Sequence, residues 1–365
     1  MLEAIYLISR ARITGPTNQA LNILKGMKMN GEVNMTLVTL LPELERDSRL
    51  NDFVVNGINV VQLMPQKSNV WKSISLLNDY IKNNNIDVVH STGYQADFVN
   101  GMLSVKVKKV TTQRCHPKEI AEKKPKFMRP FLEWGHLKII TRLDEIVACS
   151  LSLQNVFKDE FGMKILAVQN GVDTNRFFPL PVAEKEHLRE QLGIEKGKRV
   201  FLVLGSLSAR KNVGIIIQAF QHSKINNYKL LIVGPGPERQ ALEKMTEGNS
   251  DIIFTGITST PLKYLQAADI LVSSSLNEGL PNTVLEAMAC GLPTILSDIG
   301  PHIELIDQPF LGLIFKKKEE YSLIDALETS QAWEIESMRG KIRKYAEDNH
   351  SIQSLARKYN EIYKR

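Results

Sequence analysis

The chain alternates between two hydrophobic rhythms, and does so twice. In its first half, short apolar and β-branched runs occur at Ala4–Ser9, Met35–Leu41, Asn59–Leu63, Asp87–His90, Lys109–Thr112 and Glu145–Ala148. Stretches with helical spacing lie between them, such as Asn18–Met29 and Val70–Asn83. In the second half, Val200–Leu204, Lys229–Val233, Asp251–Phe254, Asp269–Val272, Pro293–Ser297 and Leu311–Phe315 read as strands. Helices are expected there over Val213–Gln221, Glu238–Met245, Pro261–Ala267, Thr283–Ala289 and Ile303–Ile306. Short apolar runs separated by helices predict parallel βαβ units, so the fold class expected is α/β. The stretch Pro179-Leu180-Pro181-Val182-Ala183-Glu184-Lys185-Glu186 is rich in proline and charge and suits a linker. The tail from Ser337 to Arg365 reads as helical and amphipathic, marked by Ile342, Tyr345, Ala346, Leu355, Tyr359 and Ile362.

A length of 365 residues is comfortable for two such domains, each with its own core. The hydrophobic share of 43% and charged share of 24% are those of an ordinary globular protein. No apolar run reaches the roughly 18 residues of a membrane span. The N-terminus, Met1-Leu2-Glu3-Ala4-Ile5, reads as a first strand and not as a signal peptide. Cys115, Cys149 and Cys290 are too few and too scattered for a disulfide framework or a zinc site, and a reducing, cytoplasmic location is expected.

Charge changes the picture only in the first half. Residues 1–179 hold 23 Lys and Arg against 17 Asp and Glu, while residues 180–365 hold 23 of each kind. Between Arg114 and Arg142, Lys118, Lys123, Lys124, Lys126, Arg129 and Lys138 are interleaved with Phe127, Met128, Phe131, Leu132 and Trp134. Such a mixture suits an anionic membrane surface, expected to be met by residues 114–142. The competing reading is a solvated helix whose apolar side packs inward. No recognition motif accompanies the charge, so nucleic acid is not an expected partner.

The densest chemistry lies in Glu278-Gly279-Leu280-Pro281-Asn282-Thr283-Val284-Leu285-Glu286-Ala287-Met288-Ala289-Cys290-Gly291-Leu292-Pro293. It follows a buried strand and contains a helix start, with Thr283 expected to open the helix. A helix start offers backbone N–H groups and partial positive charge to a phosphate. Glu278 and Glu286 flank that start and could take sugar hydroxyls. Equally, Thr283-x-x-Glu286 is a capping box, in which Glu286 only satisfies backbone donors.

Glutamate, seven residues, glutamate, with Gly-Leu-Pro after the first and Ala-Met-Ala-Cys-Gly-Leu-Pro after the second, resembles the signature of family 4 retaining glycosyltransferases. The resemblance implies the fold called GT-B: two Rossmann-like doubly wound domains facing across a cleft, with a C-terminal helix crossing back to the N-terminal domain. It implies an acceptor domain over 1–179, joined by a returning helix over about 349–365, and a nucleotide-sugar domain over 180–348. By the same resemblance, Arg210 and Lys211, in Gly205-Ser206-Leu207-Ser208-Ala209-Arg210-Lys211-Asn212, contact the donor diphosphate. Two cations beside the glycine that follows a strand suit that role on their own chemistry. Glu278 would hold donor sugar hydroxyls and Glu286 the ribose, while the amides of Gly279, Leu280, Pro281–Asn282 and Thr283 grip phosphate and sugar. Gly234, in Gly234-Pro235-Gly236-Pro237, would border the nucleotide base, although a tight turn explains that motif as well. Asn170-Gly171-Val172-Asp173 matches the family's segment at the end of the first domain. Near the N-terminus, Thr14-Gly15-Pro16-Thr17 stands where the family has a glycine pair, and only Gly15 carries over.

The main departure lies in Val110-Thr111-Thr112-Gln113-Arg114-Cys115-His116-Pro117. The position of the family's histidine falls on Arg114, with His116 two residues on; either supplies the group, or the site is degenerate. His90, ending a strand, reads as a hydrogen-bonded wall residue. The chain has no Asp-x-Asp for a metal, and no cofactor is expected, the nucleotide-sugar being a substrate. The reaction implied is metal-free transfer, with retention, from a UDP-sugar to a glycan or lipid-linked acceptor, in cell-surface polysaccharide or glycolipid synthesis at the inner face of a bacterial membrane. The rivals are a nucleotide-sugar 2-epimerase of the same fold and a non-catalytic glycosyltransferase-like subunit.

Overall fold

The structure is a computed structural model describing residues 1–64, 69–121, 125–258 and 260–365. The chain forms two compact units, residues 1–171 with 352–365, and residues 172–351.

In the first unit, seven strands run β1 Leu2–Ile8, β2 Val33–Thr39, β3 Asn59–Gln62, β4 Val88–Ser91, β5 Lys108–Gln113, β6 Glu145–Ala148 and β7 Leu166–Ala167. The helices between them are α1 Gly15–Asn30, α2 Leu50–Val55, α3 Val70–Asn83, α4 Tyr94–Gly101, α5 Arg129–Ile140 and α6 Leu151–Phe161. The strands are all parallel, in the order β3-β2-β1-β4-β5-β6-β7. Along β1, Ala4, Tyr6 and Ile8 face one core and Ile5 and Leu7 the other, the two-residue period of a strand covered on both sides. Because the order reverses between β1 and β4, their carboxyl ends open a crevice, where sheets of this kind bind ligands.

The second unit contains β8 Arg199–Leu204, β9 Tyr228–Val233, β10 Ile252–Gly256, β11 Ile270–Ser273, β12 Thr294–Ser297 and β13 Gly312–Phe315. Its helices are α7 Val182–Gln191, α8 Val213–His222, α9 Arg239–Met245, α10 Pro261–Ala267, α11 Asn282–Ala289, α12 Gly300–Ile303, α13 Glu320–Thr329 and α14 Ile335–His350. Here too all strands are parallel, ordered β10-β9-β8-β11-β12-β13, with the reversal between β8 and β11.

The last helix, α15 Ile352–Lys364, belongs to the first unit and packs along α1. A Cβ at Gly26 would stand 2.2 Å from the Ile352 carbonyl oxygen, so only glycine lets the two helices approach this closely. Leu355, Tyr359 and Ile362 enter the β1 core. The tail is thus two helices broken at Ser351, not one continuous helical stretch.

Three expectations need correction. The division falls at Gly171, not at 179, because Val172 donates to the His350 carbonyl at 2.7 Å and Arg343 donates to the carbonyls of Thr174 and Phe177. The Pro179–Glu186 stretch is not a linker: α7 begins at Val182, and its Lys185 is buried against Asp269 at 2.6 Å, with Arg189 2.7 Å from the same residue. Lys185 and Arg189 thus form a buried ion cluster with Asp269, while Glu184 stays exposed. The helix expected at Ile303–Ile306 instead spans Gly300–Ile303, opened by Pro301 in its first turn.

Candidate functional site

The second unit's switch point gathers the residues singled out by sequence. The loop after β8 carries Gly205, Arg210 and Lys211, and the loop after β11 carries Glu278. Hydrogen bonds sew the two loops together. Ser274 Oγ donates to the carbonyls of Lys211 and Asn212, both at 2.9 Å, and the Leu276 N–H donates to the Arg210 carbonyl at 2.8 Å. Asn212 closes the first loop at φ 50°, a left-handed conformation asparagine tolerates.

Glu278 is the hub. Its side chain is 11% exposed, and its carboxylate lies 2.8 Å from Arg210 Nη1 and 2.5 Å from Lys211 Nζ. Ser275 Oγ donates to it at 2.9 Å. Burial would raise its pKa, but Lys211 and Arg210 outweigh burial and hold it below the ordinary carboxylate value. Arg210 also donates to the Asn277 carbonyl at 2.7 Å, fixing the fork of its guanidinium. Two cations and one anion leave the cluster with net positive charge.

The helix α11 starts at Asn282, one residue before the expected Thr283. Its N-cap is Pro281, and no side chain caps it. Thr283 is therefore not the N-cap, and it forms no capping box with Glu286. Gly279, Leu280, Pro281, Asn282 and Thr283 form the turn into this helix, with Leu280 and Pro281 buried as its floor. Glu286 is partly exposed, one turn into α11. Burial first, and then Glu286, pushes the Cys290 thiol up to about 12, so this cysteine is no nucleophile at neutral pH.

Gly205 and Gly234 are also positions of close backbone approach. A Cβ at Gly234 would stand 1.9 Å from the Gly205 carbonyl oxygen, and the Leu207 N–H donates to the Pro235 carbonyl at 2.7 Å. Gly205 and Gly234 thus bring the loops after β8 and β9 into contact with each other.

Sequence reasoning missed His302 on α12. It is fully buried, with Nδ1 3.0 Å from the Ser297 carbonyl and 3.1 Å from Ser297 Oγ. Ser297 Oγ donates at 2.6 Å to the carbonyl of Ser275, whose own hydroxyl holds Glu278. Burial pushes the His302 pKa down to about 4, so the ring is neutral. No recognised motif announces it, although its ring partner Ser297 lies only five residues upstream, in β12.

In the first unit, Arg114 and His116 diverge. Arg114 turns inward, donating to Asn170 Oδ1 at 2.8 Å and to the Tyr6 hydroxyl at 3.3 Å. His116 turns to α6, where Nε2 is 3.0 Å from Glu160. His90 is a buried wall residue, its ring nitrogens 2.6 Å from the Tyr363 hydroxyl and 2.8 Å from Thr112 Oγ1. Gly171 is bound by Gln19 and Asn22 of α1, both at 2.8 Å, a structural tie. Gly15 is exposed in the first turn of α1, which Thr14 caps. Also unforeseen is Asp97, fully buried, which accepts from Ser91, Thr111, Gln113 and His136 at 2.6–3.0 Å.

Residues 184–349 match the family described as Glycosyl transferases group 1, and residues 13–176 match Glycosyltransferase Family 4. The O-antigen biosynthesis glycosyltransferase WclY of Escherichia coli is 23% identical over 379 residues, covering 99% of this chain and 98% of that protein. A UDP-Gal:alpha-D-GlcNAc-diphosphoundecaprenol alpha-1,3-galactosyltransferase of the same species is 27% identical over 274 residues, 70% of this chain and 69% of that protein. Among solved structures, HepE of Anabaena in complex with UDP-glucose superposes with a TM-score of 0.80 at 16% identity, covering 99% of each chain. Two parallel-sheet Rossmann-like units with these matches define a hexosyltransferase of the GT-B fold. The chain belongs to the family 4, group 1 glycosyltransferases.

Proposed function

We propose that this enzyme transfers a sugar from a UDP-sugar to a glycan or lipid-linked acceptor, with retention and without a metal. The observation that carries the reading is the Arg210–Lys211–Glu278 cluster at the β8–β11 switch point. A departing diphosphate needs its charge neutralised, and a fixed guanidinium and ammonium do this in place of a cation, each such contact being worth about 3 kcal/mol. The turn Gly279–Thr283 and the start of α11 then receive phosphate and sugar, Glu278 sugar hydroxyls, and Glu286 the ribose. Gly15 closes over the donor phosphate and Gly234 borders the base. Deprotonation of the acceptor hydroxyl is assisted by the donor phosphate on the same face. Arg114 or His116 supplies the group on the first unit; Arg114→Gln and His116→Gln, compared in turnover, decide which.

Membrane contact belongs to the same proposal. On α5 and the turn before it, Phe127, Phe131 and Trp134 are 75%, 76% and 63% exposed. Their spacing puts them on one face with Lys138, while His136 and Ile140 are buried on the other. Lys126 is exposed beside them. An exposed aromatic face flanked by cations matches an anionic lipid surface. Lys123 and Lys124 lie outside the described residues. Among the described residues, no helix is long and apolar enough to cross a membrane. The two relatives named above, of O-antigen biosynthesis and of a diphosphoundecaprenol acceptor, support a polysaccharide or lipid-linked pathway.

The test is binding and slow hydrolysis of UDP-, GDP- and ADP-sugars in EDTA, for the wild type, Lys211→Ala and Glu286→Ala. Turnover of a UDP-sugar that both substitutions abolish is the expected result. Preference for another nucleotide would overturn the donor assignment, and a strict need for added metal would overturn the role given to Arg210 and Lys211.

A further inference from the structure

The first unit has its own switch point, between β1 and β4, and a cavity of about 440 Å³ sits there. Arg10 and Arg12, from the loop after β1, line it together with Thr14 and Thr17 at the head of α1 and Thr92 and Gln95 after β4. No acidic side chain among the described residues lines it. We propose that this cavity binds a phosphate or diphosphate carried by the acceptor, with Arg10 and Arg12 as its charged ligands. The proposal rests on the reading of the chain as a transferase whose first unit takes the acceptor, and it names that acceptor's chemical class.

The arginines are placed and charged for such a group. Arg10 is half-buried, and its Nε donates to the Pro42 carbonyl at 2.6 Å, which fixes the guanidinium through one nitrogen. Among the described residues no carboxylate pairs with it. Arg12 has only a long contact, 3.8 Å to Asp47, between side chains 48% and 44% exposed, and such a pair holds an arginine weakly. The Glu43 carboxylate is taken up by the Ala11 N–H and the Ser48 hydroxyl, both at 2.9 Å, and two guanidiniums together create a field that one carboxylate would satisfy only in part. A phosphate ester or diphosphate, with more negative charge and several oxygens in the geometry of the guanidinium fork, satisfies both. The threonine hydroxyls and the Gln95 amide add polar contacts at the rim. Crevices at the carboxyl ends of strands where a parallel sheet reverses are the ligand sites of such sheets.

The experiment uses the full chain and four probes, namely farnesyl diphosphate, farnesol, inorganic pyrophosphate and UDP, titrated calorimetrically. The wild type is compared with Arg10→Gln/Arg12→Gln and with Lys211→Ala. We expect the double variant to bind farnesyl diphosphate at least about tenfold more weakly, an expectation set by the loss of two charge-assisted contacts, with UDP affinity unchanged. Lys211→Ala should show the reverse pattern. Pyrophosphate binding that depends on Arg10 and Arg12 supports recognition of the phosphates themselves. The proposal is overturned if farnesyl diphosphate does not bind or ignores the double substitution, or if farnesol binds equally well. It is overturned too if UDP affinity falls as much, because the arginines would then serve the donor. Unchanged UDP binding shows that the second unit of the double variant is folded, and an unchanged circular dichroism spectrum and thermal unfolding profile show that the first is. Failure of UDP to bind the wild type, with farnesyl diphosphate binding intact, would sink the donor assignment and leave this site standing.

Discussion

At the residue scale, Glu278 holds the two cations proposed to take the donor diphosphate. Its carboxylate occupies Arg210 and Lys211, and on the proposed reading a donor draws those cations to its own oxygens before Glu278 is free for sugar hydroxyls. Glu278→Gln should therefore bind UDP alone more tightly, by about tenfold, while donor turnover falls at least about 100-fold. Calorimetry and donor hydrolysis read the two effects, and a parallel loss of both would contradict the exchange. His302 makes a prediction in pH. Its folded pKa of about 4 lies below its ordinary 6.5, so the unfolded chain takes up the proton first as pH falls. The second unit should then lose about 3 kcal/mol between pH 6.5 and 4 from this group, and His302→Gln should flatten that part of the profile in urea titrations. Arg210, Lys211 and Glu278 were legible because a short local motif carries each. Not read from the sequence were His302, held by Ser297 five residues upstream in no recognisable motif, and the Asp97–His136 pair, which the fold brings together across 39 residues.

At the element scale, the βαβ rhythm was readable wherever a strand is covered on both faces, as in β1, β8 and β9. What failed were elements made by tertiary contact. The two-residue β7 has no pattern of its own, and α7 hides in a proline- and charge-rich stretch because Lys185 and Arg189 turn inward to Asp269. Burial raises the Asp269 pKa, and Lys185 and Arg189 outweigh it to leave it low. Asp269→Ala would strand two buried cations and should cost about 3–5 kcal/mol in thermal or chemical unfolding of the second unit. A loss no larger than that of an exposed pair would show the cluster to be solvated. On α5, the exposed face predicts that Phe131→Ser/Trp134→Ser reduces co-sedimentation with phosphatidylglycerol vesicles severalfold and leaves UDP binding intact. Equal sedimentation of wild type and variant would remove the membrane from the proposal.

At the scale of the whole molecule, the two sheets repeat one principle: a parallel order reverses, and the loops at the reversal carry the charged groups. The sequence could announce two domains and a donor motif, because those are written in rhythm and in adjacent residues. It could not announce the order of strands, and so could not show that Arg10 and Arg12 sit at one reversal as Arg210 and Lys211 sit at the other. Nor could it place the boundary at Gly171, which depends on Arg343 reaching back to Thr174 and Phe177. At the second unit's site, the proposed reaction expels a nucleoside diphosphate from the donor with retention and without a metal. The most direct measurement is proton NMR of the sugar released from an α-linked UDP-sugar, such as UDP-glucose or UDP-galactose, by the wild type in EDTA. The account predicts that the α-anomer appears first and that Lys211→Ala abolishes it. Initial release of the β-anomer, or release only after magnesium or manganese is restored, would contradict it.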